Sequence, residues 1–228
     1  MEPRTLLDAL NVAERIKDTT RHCYTRNGRH ESVAEHSWMM TLMAFFMKEE
    51  FPEVDMDKVI KMCIIHDLGE AFTGDIPTFE KTTTNEATEE ELLYSWVKSL
   101  PENYAKEMLN LYDEMAKRET TEAKVYKAID SLEALIQHNI SDLSTWIPKE
   151  YELNKTYADD KVAFSEYLKL TFSKSIDPSK TSFTAFSGFT IVLSSPRTST
   201  IRRADSMDMV SVTNTMESII RLIKIFIQ

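Results

Sequence analysis

Two adjacent side chains that can bind a metal, His66 and Asp67, end the apolar run at residues 59–65. A neutral imidazole and a carboxylate suit a divalent first-row cation such as Mn²⁺, Co²⁺, Fe²⁺ or Zn²⁺. Polar groups on a buried helix are costly unless they are hydrogen-bonded or coordinated. Taken alone, the pair also fits a core histidine followed by an aspartate at a helix end, so it predicts a metal site only if further residues join it.

A second histidine, near the start of another apolar segment, joins the pair. Ser32 and Glu35 match a capping box, in which each side chain satisfies a backbone amide of the first helical turn. A helix that begins there carries His36 in its second turn and continues through residues 39–47, which are too apolar for a surface helix. We therefore expect His36 to be buried and to need a partner.

The elements that position these residues are predicted to be helices. With four glycines and few alternating apolar runs, the sequence argues against a sheet-rich protein and predicts an all-α fold. The segment with the arginines before Ser32 and the segment around Gly69 and Gly74 are expected to be loops. Residues 80–85 are either a mobile lid or a surface loop. Apolar periodicity and breaks at proline predict helices at 4–18, 32–50, 55 or 57 to 67, 86–99, 102–118, 121–140 and 158–172.

The overall composition is that of a single-domain intracellular protein. A chain of 228 residues that is 42% hydrophobic can bury a full core. Cys23 and Cys63 cannot form a disulfide framework, so we expect free thiols. The first residues lack the layout of a signal peptide, and no apolar window is long enough to span a membrane. We therefore expect a cytoplasmic protein with no membrane partner.

The charge of the chain restricts its partners. The formal net charge of −10 opposes binding to nucleic acid, which needs a basic face. It also repels an anionic mononucleotide at long range, so a phosphate ester must be held locally. Arg21, Arg26 and Arg29 precede His36, where such a contact would be needed. A solvated basic loop is the alternative interpretation of Arg29.

The order of these motifs resembles that of the HD-domain metal-dependent phosphohydrolases, in particular their 5′-deoxynucleotidase branch. His36, the pair His66-Asp67 and Asp130 on a later helix are similar to the H…HD…D signature of that family. Residues 21–36 resemble its arginine-rich lead-in, residues 66–78 its HD-x-x-E…GD-[IL]-P element, and residues 127–134 its last ligand helix. The resemblance covers residues 5–170. It implies an HD-domain helical bundle, placed at residues 1–175, and a homodimer.

The same resemblance implies the site residues. His36, His66, Asp67 and Asp130 would hold one divalent ion, with Mn²⁺ or Co²⁺ favoured and Mg²⁺, Fe²⁺ or Zn²⁺ as alternatives. One ion is expected because no histidine lies between Asp67 and Asp130. Helical periodicity alone would place Asp130 on a solvent-facing flank with Glu133 and Gln137. With Asp130 as a ligand by resemblance, Glu133 and Gln137 become candidates for supporting the ligands. The catalytic residues implied by the family positions are Glu70, which would orient or deprotonate the attacking water, and Asp75, which would lie near the sugar and the water. The implied substrate-binding residues are Arg21, at the phosphate, with His22, Arg26 and Asp75.

The function that this resemblance implies is removal of the 5′-phosphate from deoxyribonucleoside monophosphates, a small-molecule substrate. One alternative is an HD phosphohydrolase acting on another nucleotide or a small phosphate ester. Another is a non-catalytic metal- and nucleotide-binding module, which would have no need of Glu70 or Asp75. His22 departs from the aromatic or small residue usual at its position, so looser sugar selectivity is expected. The divergent tail, residues 176–228, matches no family pattern and is assigned no function; it could be disordered, an added strand or hairpin, or a divergent C-terminus.

Overall fold

A computed structural model describes residues 1–176 of the chain. Apart from Ile176, the predicted tail lies outside the described residues, so the domain boundary at residue 175 stays a prediction. The described part is helical with one small hairpin, which confirms the predicted all-α class. Its elements are α1 (Pro3–Ala13), β1 (Thr20–Tyr24), β2 (His30–Ser32), α2 (Val33–Met47), α3 (Met56–Ile65), α4 (Glu70–Thr73), α5 (Thr83–Ser99), α6 (Glu102–Lys117), α7 (Thr121–Ile140), α8 (Pro148–Leu153), α9 (Asp159–Val162) and α10 (Glu166–Ile176).

Helices α2, α3 and α7 pack against one another and form the centre of the bundle. Their contact is built from fully buried apolar side chains, among them Met40, Met62 and Leu132. Each side chain of this size contributes about 1.5–3 kcal/mol when it is removed from water. Helix α6 covers α3 and α7, while α9 and α10 also pack on α7. The three central helices are therefore held rigidly, and they are the elements that carry the histidines and aspartates singled out above.

Side-chain caps fix where the central helices begin. Ser32 accepts a hydrogen bond from the backbone N–H of Glu35, and the Glu35 carboxylate accepts one from Ser32, so the predicted capping box is present. Of the two starts considered for the next helix, Asp55 is the cap: its carboxylate accepts from the N–H of Lys58 at 3.0 Å. Such caps typically contribute about 1 kcal/mol and set the helix register. The register of α2 places His36 on the buried side, where it is 1% exposed.

A β-hairpin replaces the loop predicted before Ser32. Strands β1 and β2 pair antiparallel, with Thr20 opposite Ser32. Gly28 has a φ of +80° in the connecting turn, a conformation that glycine adopts at little cost. The hairpin is tied to the bundle because the side-chain amide of Gln137 donates to the carbonyl of Tyr24 at 2.7 Å. The strands have only five and three residues, too few for an alternating pattern to be recognised.

Other boundaries also differ from the predictions. Glu70 lies on the short helix α4 rather than in a loop, and α5 begins at Thr83 because the Thr82 side chain caps it. Residues 83–85 are therefore helical, not part of a lid or loop. The first helix ends at Ala13 and gives way to a 3₁₀ turn, Glu14–Lys17, and α8 was not predicted. Within residues 1–176, none of the helices combines the length and apolar character needed to cross a membrane.

Candidate metal centre and active site

Four side chains from the three central helices converge at the end of α3. His36 comes from α2, His66 and Asp67 directly follow α3, and Asp130 comes from α7. The Nε2 atom of His36 lies 3.2 Å from Asp130 Oδ1 and 3.9 Å from Asp67 Oδ2. The Nε2 atom of His66 lies 2.8 Å from the same Asp67 oxygen. The structure therefore brings together the four ligands expected from the sequence.

The ring of His66 is oriented by backbone and aromatic contacts. Its Nδ1 atom lies 2.9 Å from the carbonyl oxygen of Cys63, one turn earlier in α3. The Tyr126 ring meets it edge-on, with the ring centroids 5.8 Å apart. The carbonyl of Ile65, two residues further on, accepts a hydrogen bond from the Tyr112 hydroxyl at 2.6 Å, which fixes the end of the helix. In this orientation, Nε2 of His66 faces Asp67.

His36 is oriented by a buried carboxylate. Its Nδ1 atom is hydrogen-bonded to Glu133 of α7, which leaves Nε2 facing Asp130. Glu133 Oε2 also lies 3.4 Å from Arg21 Nη1, and the same guanidinium nitrogen donates to Glu31 at 2.7 Å. A carboxylate behind a histidine is the usual means by which proteins fix the tautomer of a metal ligand. Glu133, which the sequence predicts as a candidate for supporting the ligands, thus joins them to the hairpin.

These residues fit a divalent metal ion. The Nε2 atom of His66 is buried and makes no hydrogen bond within the described residues, although a carboxylate oxygen lies 2.8 Å away. An unpaired buried polar atom is costly unless something binds it. Two imidazole nitrogens and two carboxylates are a normal donor set for Mn²⁺, Co²⁺, Fe²⁺ or Zn²⁺. The geometry therefore supports the predicted ligand set.

The electrostatics of the cluster also favour a bound cation. Burial and the charge of Arg21 lower the pKa of His36, but hydrogen bonds to Asp130 and Glu133 outweigh them and raise it to about 10. Burial raises the pKa of Asp67, but its interactions with His66 and His36 outweigh burial and lower it to about 2. The aspartates are therefore ionised, and the cluster favours a positive charge between them. A metal ion bound between the aspartates would supply this positive charge, which a proton on His36 supplies otherwise.

Glu70 and Asp75 lie beside this cluster, on either side of Gly74. Burial, and then the negative charges of Asp67, Asp75 and Glu89, raise the pKa of Glu70 to about 10. One Glu70 oxygen is buried without a hydrogen bond among the described residues. Burial likewise raises the pKa of Asp75, while Arg21 opposes the rise. A carboxyl group that is buried among acids, next to a site for a cation, is typical of a group used in proton transfer.

Two glycines allow the chain to bring Glu70 and Asp75 to this position. A Cβ atom at Gly69 would lie 2.8 Å from Cγ of Glu89, so α5 approaches too closely for a larger residue. Gly74 has a φ of +77°, which reverses the chain after α4 and leads into Asp75. The two glycines of the motif therefore have separate tasks, one in packing and one in backbone geometry.

A cavity of about 370 Å³ is lined by Arg21 and Asp75, which both lie beside the cluster. This volume is within the range of small-molecule sites, about 300–1,000 Å³. Its wall combines apolar and aromatic side chains with about as many polar and charged ones. The other residues that line it are His22, Cys23, Pro77, Thr78, Phe79, Ala134, Leu135, His138, Lys149, Glu150, Leu153, Asn154 and Tyr157.

The other residues that the sequence predicts at the substrate differ in whether they line the cavity. His22 lines the cavity, as expected of a substrate-binding residue. Arg26 is exposed in the turn of the hairpin and does not line the cavity, so its contact with a substrate stays a prediction. Arg29 is also exposed and forms an ion pair with Glu35, a residue of the capping box.

Sequence reasoning missed three residues of this region. Glu31 accepts from Arg21, and its burial on β2 follows from a hairpin that the sequence did not reveal. His138 and Glu150 line the cavity from α7 and α8. Nothing in the local sequence marked either residue, because α8 was not predicted and an isolated histidine near a helix end is common.

Changing Glu133 to Gln should reduce the affinity for a divalent metal roughly 10–100-fold, the usual effect of losing a group that orients a ligand. Gln keeps the size of the side chain but lacks the charge that faces His36 and Arg21. Competition for Co²⁺ or Mn²⁺ against a chelating dye measures the affinity. Glu122→Gln on the same helix is the matched control, since it pairs with Lys58 instead. Equal affinity in the two variants would show that Glu133 does not support the ligands.

Comparisons with known proteins agree with this arrangement. A family model described as HD domain matches residues 13–170. The 5′-deoxynucleotidase HDDC2 of Homo sapiens is 30% identical over 138 residues, which cover 59% of this chain and 67% of the human protein. The 5′-deoxynucleotidase HDDC2 of Dictyostelium discoideum is 26% identical over 178 residues, covering 74% of this chain and 88% of that protein. This chain thus spans about two thirds of the length of its human relative.

Two solved structures share the fold. A predicted metal-dependent phosphohydrolase from Magnetospirillum magnetotacticum has a TM-score of 0.65 and 24% identity, covering 78% of this chain and 96% of its own. The cyanophage S-2L HD phosphohydrolase DatZ, bound to dA and one catalytic Zn²⁺ ion, has a TM-score of 0.51 and 18% identity, covering 73% and 95%. Since the family model spans most of the described residues, the chain belongs to the HD-domain family.

Proposed function

We propose that this protein is a metal-dependent phosphohydrolase that removes the 5′-phosphate from deoxyribonucleoside monophosphates. The observation that carries the proposal is the convergence of His36, His66, Asp67 and Asp130 beside a cavity that contains Arg21 and Asp75. The names of the human and Dictyostelium relatives, both 5′-deoxynucleotidases, support this substrate class. In the reaction, water adds to phosphorus and the ester P–O bond breaks, which gives inorganic phosphate and a deoxynucleoside.

The four ligands would hold one divalent ion, with Mn²⁺ or Co²⁺ preferred because half of the donors are carboxylates. When bound, such an ion polarises a phosphoryl oxygen and lowers the pKa of a coordinated water. The protein contributes the orientation of the donors. His36 is held by Glu133, and His66 by the Cys63 carbonyl.

Glu70 is the group that we assign to proton transfer. It is buried beside Asp67, and one carboxylate oxygen has no hydrogen bond within the described residues. Its raised pKa results from burial and from the neighbouring negative charges, above all that of Asp67. Positive charge next to Asp67 offsets that repulsion and favours the carboxylate, the form that can accept a proton from the attacking water.

Arg21 would bind the phosphate. Its Nη1 atom is held by Glu31 and Glu133, which fixes the planar guanidinium at the boundary between the metal cluster and the cavity. A fixed guanidinium can form charge-assisted hydrogen bonds to phosphate oxygens. This local contact offsets the long-range repulsion expected from the net charge of −10. Asp75 and His22 line the cavity next to Arg21 and would face the sugar, and Arg26 stays a candidate for a substrate contact.

Two other functions stay compatible with this site. An HD phosphohydrolase for a different nucleotide or a small phosphate ester would use the same ligands and the same Arg21. A binding module without catalysis would explain the ligands but not Glu70, a carboxyl group that is buried at a cost and has one oxygen without a partner among residues 1–176. The unpaired oxygen therefore favours an enzyme.

We also propose that the protein works in the cytoplasm as a homodimer. Cys23 and Cys63 are buried free thiols, as is usual in a reducing compartment. Helix α2 exposes Trp38, Phe45 and Phe46, whose side chains are 60%, 53% and 71% accessible. An exposed aromatic patch of this kind commonly marks a protein interface.

Changing Phe46 to Glu should weaken the dimer, because a charge would be buried in an apolar interface. Light scattering after size exclusion, across a dilution series, measures the mass of the particle. Leu170→Glu is the control, since Leu170 is also an exposed apolar residue, on α10. A monomeric parent, or a Phe46→Glu variant that dimerises like the control, would rule out this face.

Changing Glu70 to Gln should leave metal binding intact and lower turnover by roughly 10²–10⁴-fold, the usual loss for a positioned acid–base group. Phosphate release from dAMP and metal content are measured on the same preparation. Glu86→Gln, an exposed position in the first turn of α5, serves as control. Parental turnover in Glu70→Gln would remove Glu70 from the mechanism.

The preference for deoxyribose should be at least about 10²-fold in kcat/KM for dAMP over AMP, the discrimination that a close-fitting pocket achieves against one added hydroxyl. Discrimination between bases should be small.

His22→Trp should increase the preference for dAMP over AMP, because a larger ring leaves less room for the 2′-hydroxyl. Equal kcat/KM values for dAMP and AMP would disprove the deoxynucleotide assignment while leaving the phosphohydrolase class intact.

A further inference from the structure

A second set of potential metal ligands lies in the wall of the cavity. His22 on β1, His138 on α7 and Glu150 on α8 each present one donor atom, and the three atoms lie within 4.8 Å of one another. The Nε2 atom of His22 is 3.2 Å from Glu150 Oε1, and the Nε2 atom of His138 is 3.6 Å from Glu150 Oε2. None of these residues belongs to the cluster around His66 and Asp67.

The side chains of this second set are held in place from behind. The ring of His138 stacks on Trp146 with the centroids 4.0 Å apart, and the ring of His22 meets Phe79 edge-on at 5.5 Å. Glu150 is buried and accepts a hydrogen bond from the backbone N–H of Ile147 at 2.6 Å. Aromatic contacts therefore position the two imidazoles, and the backbone of Ile147 positions the Glu150 carboxylate.

The donor atoms do not satisfy one another. The Nε2 atom of His138 is buried and has no hydrogen bond within residues 1–176, although Glu150 is near. The same combination occurs at His66 and Asp67, where a buried imidazole nitrogen lies close to a carboxylate without hydrogen-bond geometry. In both places, atoms that converge without bonding leave room for a shared cation.

We propose that His22, His138 and Glu150 form a second metal site, for a divalent transition-metal ion such as Zn²⁺. Zinc binds imidazole nitrogen and carboxylate oxygen at about 2.0–2.2 Å, so neighbouring ligands of a tetrahedral ion lie roughly 3.3 Å apart. The separations of 3.2 and 3.6 Å are close to this spacing. Three protein ligands leave one position of the ion open to the cavity.

The charges around this second site favour a cation. Besides Glu150, the acidic groups Asp75 and Glu80 act on His22, whereas Arg21 opposes them. The other basic group of the wall, Lys149, is engaged over the face of the Phe79 ring at 4.9 Å. An ion here would occupy the space into which a nucleoside would extend, so excess zinc should inhibit hydrolysis by competing with the nucleotide.

The distribution of histidines makes the proposal easy to test. The chain has five histidines, and four of them belong to the two clusters. The fifth, His30, lies on β2 with its ring against Tyr24, at a centroid distance of 4.2 Å. His30→Phe is therefore a control for His138→Phe, since both variants keep an aromatic ring and lose one imidazole.

The experiment measures bound Zn²⁺ by elemental analysis and calorimetric titration, on full-length protein without a histidine tag. The parent and His30→Phe should bind about two ions per chain, and Asp67→Ala about one, because that variant keeps only the site in the cavity wall. His138→Phe and Glu150→Gln should each lose one ion, and combining either with Asp67→Ala should abolish binding. Gln at position 150 can still accept from the N–H of Ile147, which preserves the fold.

Two results would overturn the proposal. The first is a single ion in the parent that Asp67→Ala removes completely. The second is zinc binding in Asp67→Ala that survives both His138→Phe and Glu150→Gln. In either case, His22 and Glu150 would be an ordinary ion pair. Because the readout is bound metal, it is independent of which nucleotide the enzyme hydrolyses.

Discussion

The buried carboxylate of Glu133 is the contact on which the rest of the site depends. It lies between the imidazole of His36 and the guanidinium of Arg21, and its side chain is 2% exposed. A buried charge of this kind is tolerated only when it is paired, and breaking such a pair typically costs about 3–5 kcal/mol. Through Glu133, α7 fixes both the metal ligand on α2 and the proposed phosphate ligand on β1.

This arrangement explains why the hairpin is part of the active site although it is small. Arg21 and Cys23 both contact Glu31, and Arg21 also reaches Glu133. Burial raises the pKa of Glu31, and the charge of Glu133 adds to that effect while Arg21 opposes it. Two acidic groups therefore share one arginine. Arg21, together with His36, relieves their mutual repulsion, which couples the hairpin to the bundle.

Much of the fold and of the metal centre could be predicted from the sequence, for identifiable reasons. The start of α2 at Ser32 follows from local capping chemistry, and the burial of His36 follows from the apolar residues after it. Asp130 could not be found this way. The flank of α7 that carries it looked solvent-facing by periodicity, yet Glu133 and Gln137 on the same flank are buried. That flank is polar because it faces the site and the hairpin, so its polarity reflects internal hydrogen bonds rather than water, and only the family motif identified it.

The elements that sequence reasoning missed are those whose existence depends on distant contacts. Strand β2 is stabilised by its pairing with β1, and that hairpin in turn by Gln137. Helix α8 brings Glu150 to the cavity, where it faces histidines 128 and 12 positions away in the chain, His22 and His138. Such long-range contacts leave no periodic trace in a single sequence.

The hairpin also has a consequence for how the protein can vary. In β1, which pairs irregularly with β2, Arg21 and Cys23 contact Glu31, while His22 between them contacts Glu150. A slip of one residue along β1 would exchange the two sets and direct the imidazole at the buried acids and the guanidinium at α8. The register of β1, and not its composition alone, thus decides whether an arginine or a histidine faces the proposed phosphate position. Apart from Gly28, whose positive φ the turn requires, the exposed residues 26–29 can change as long as they preserve that register.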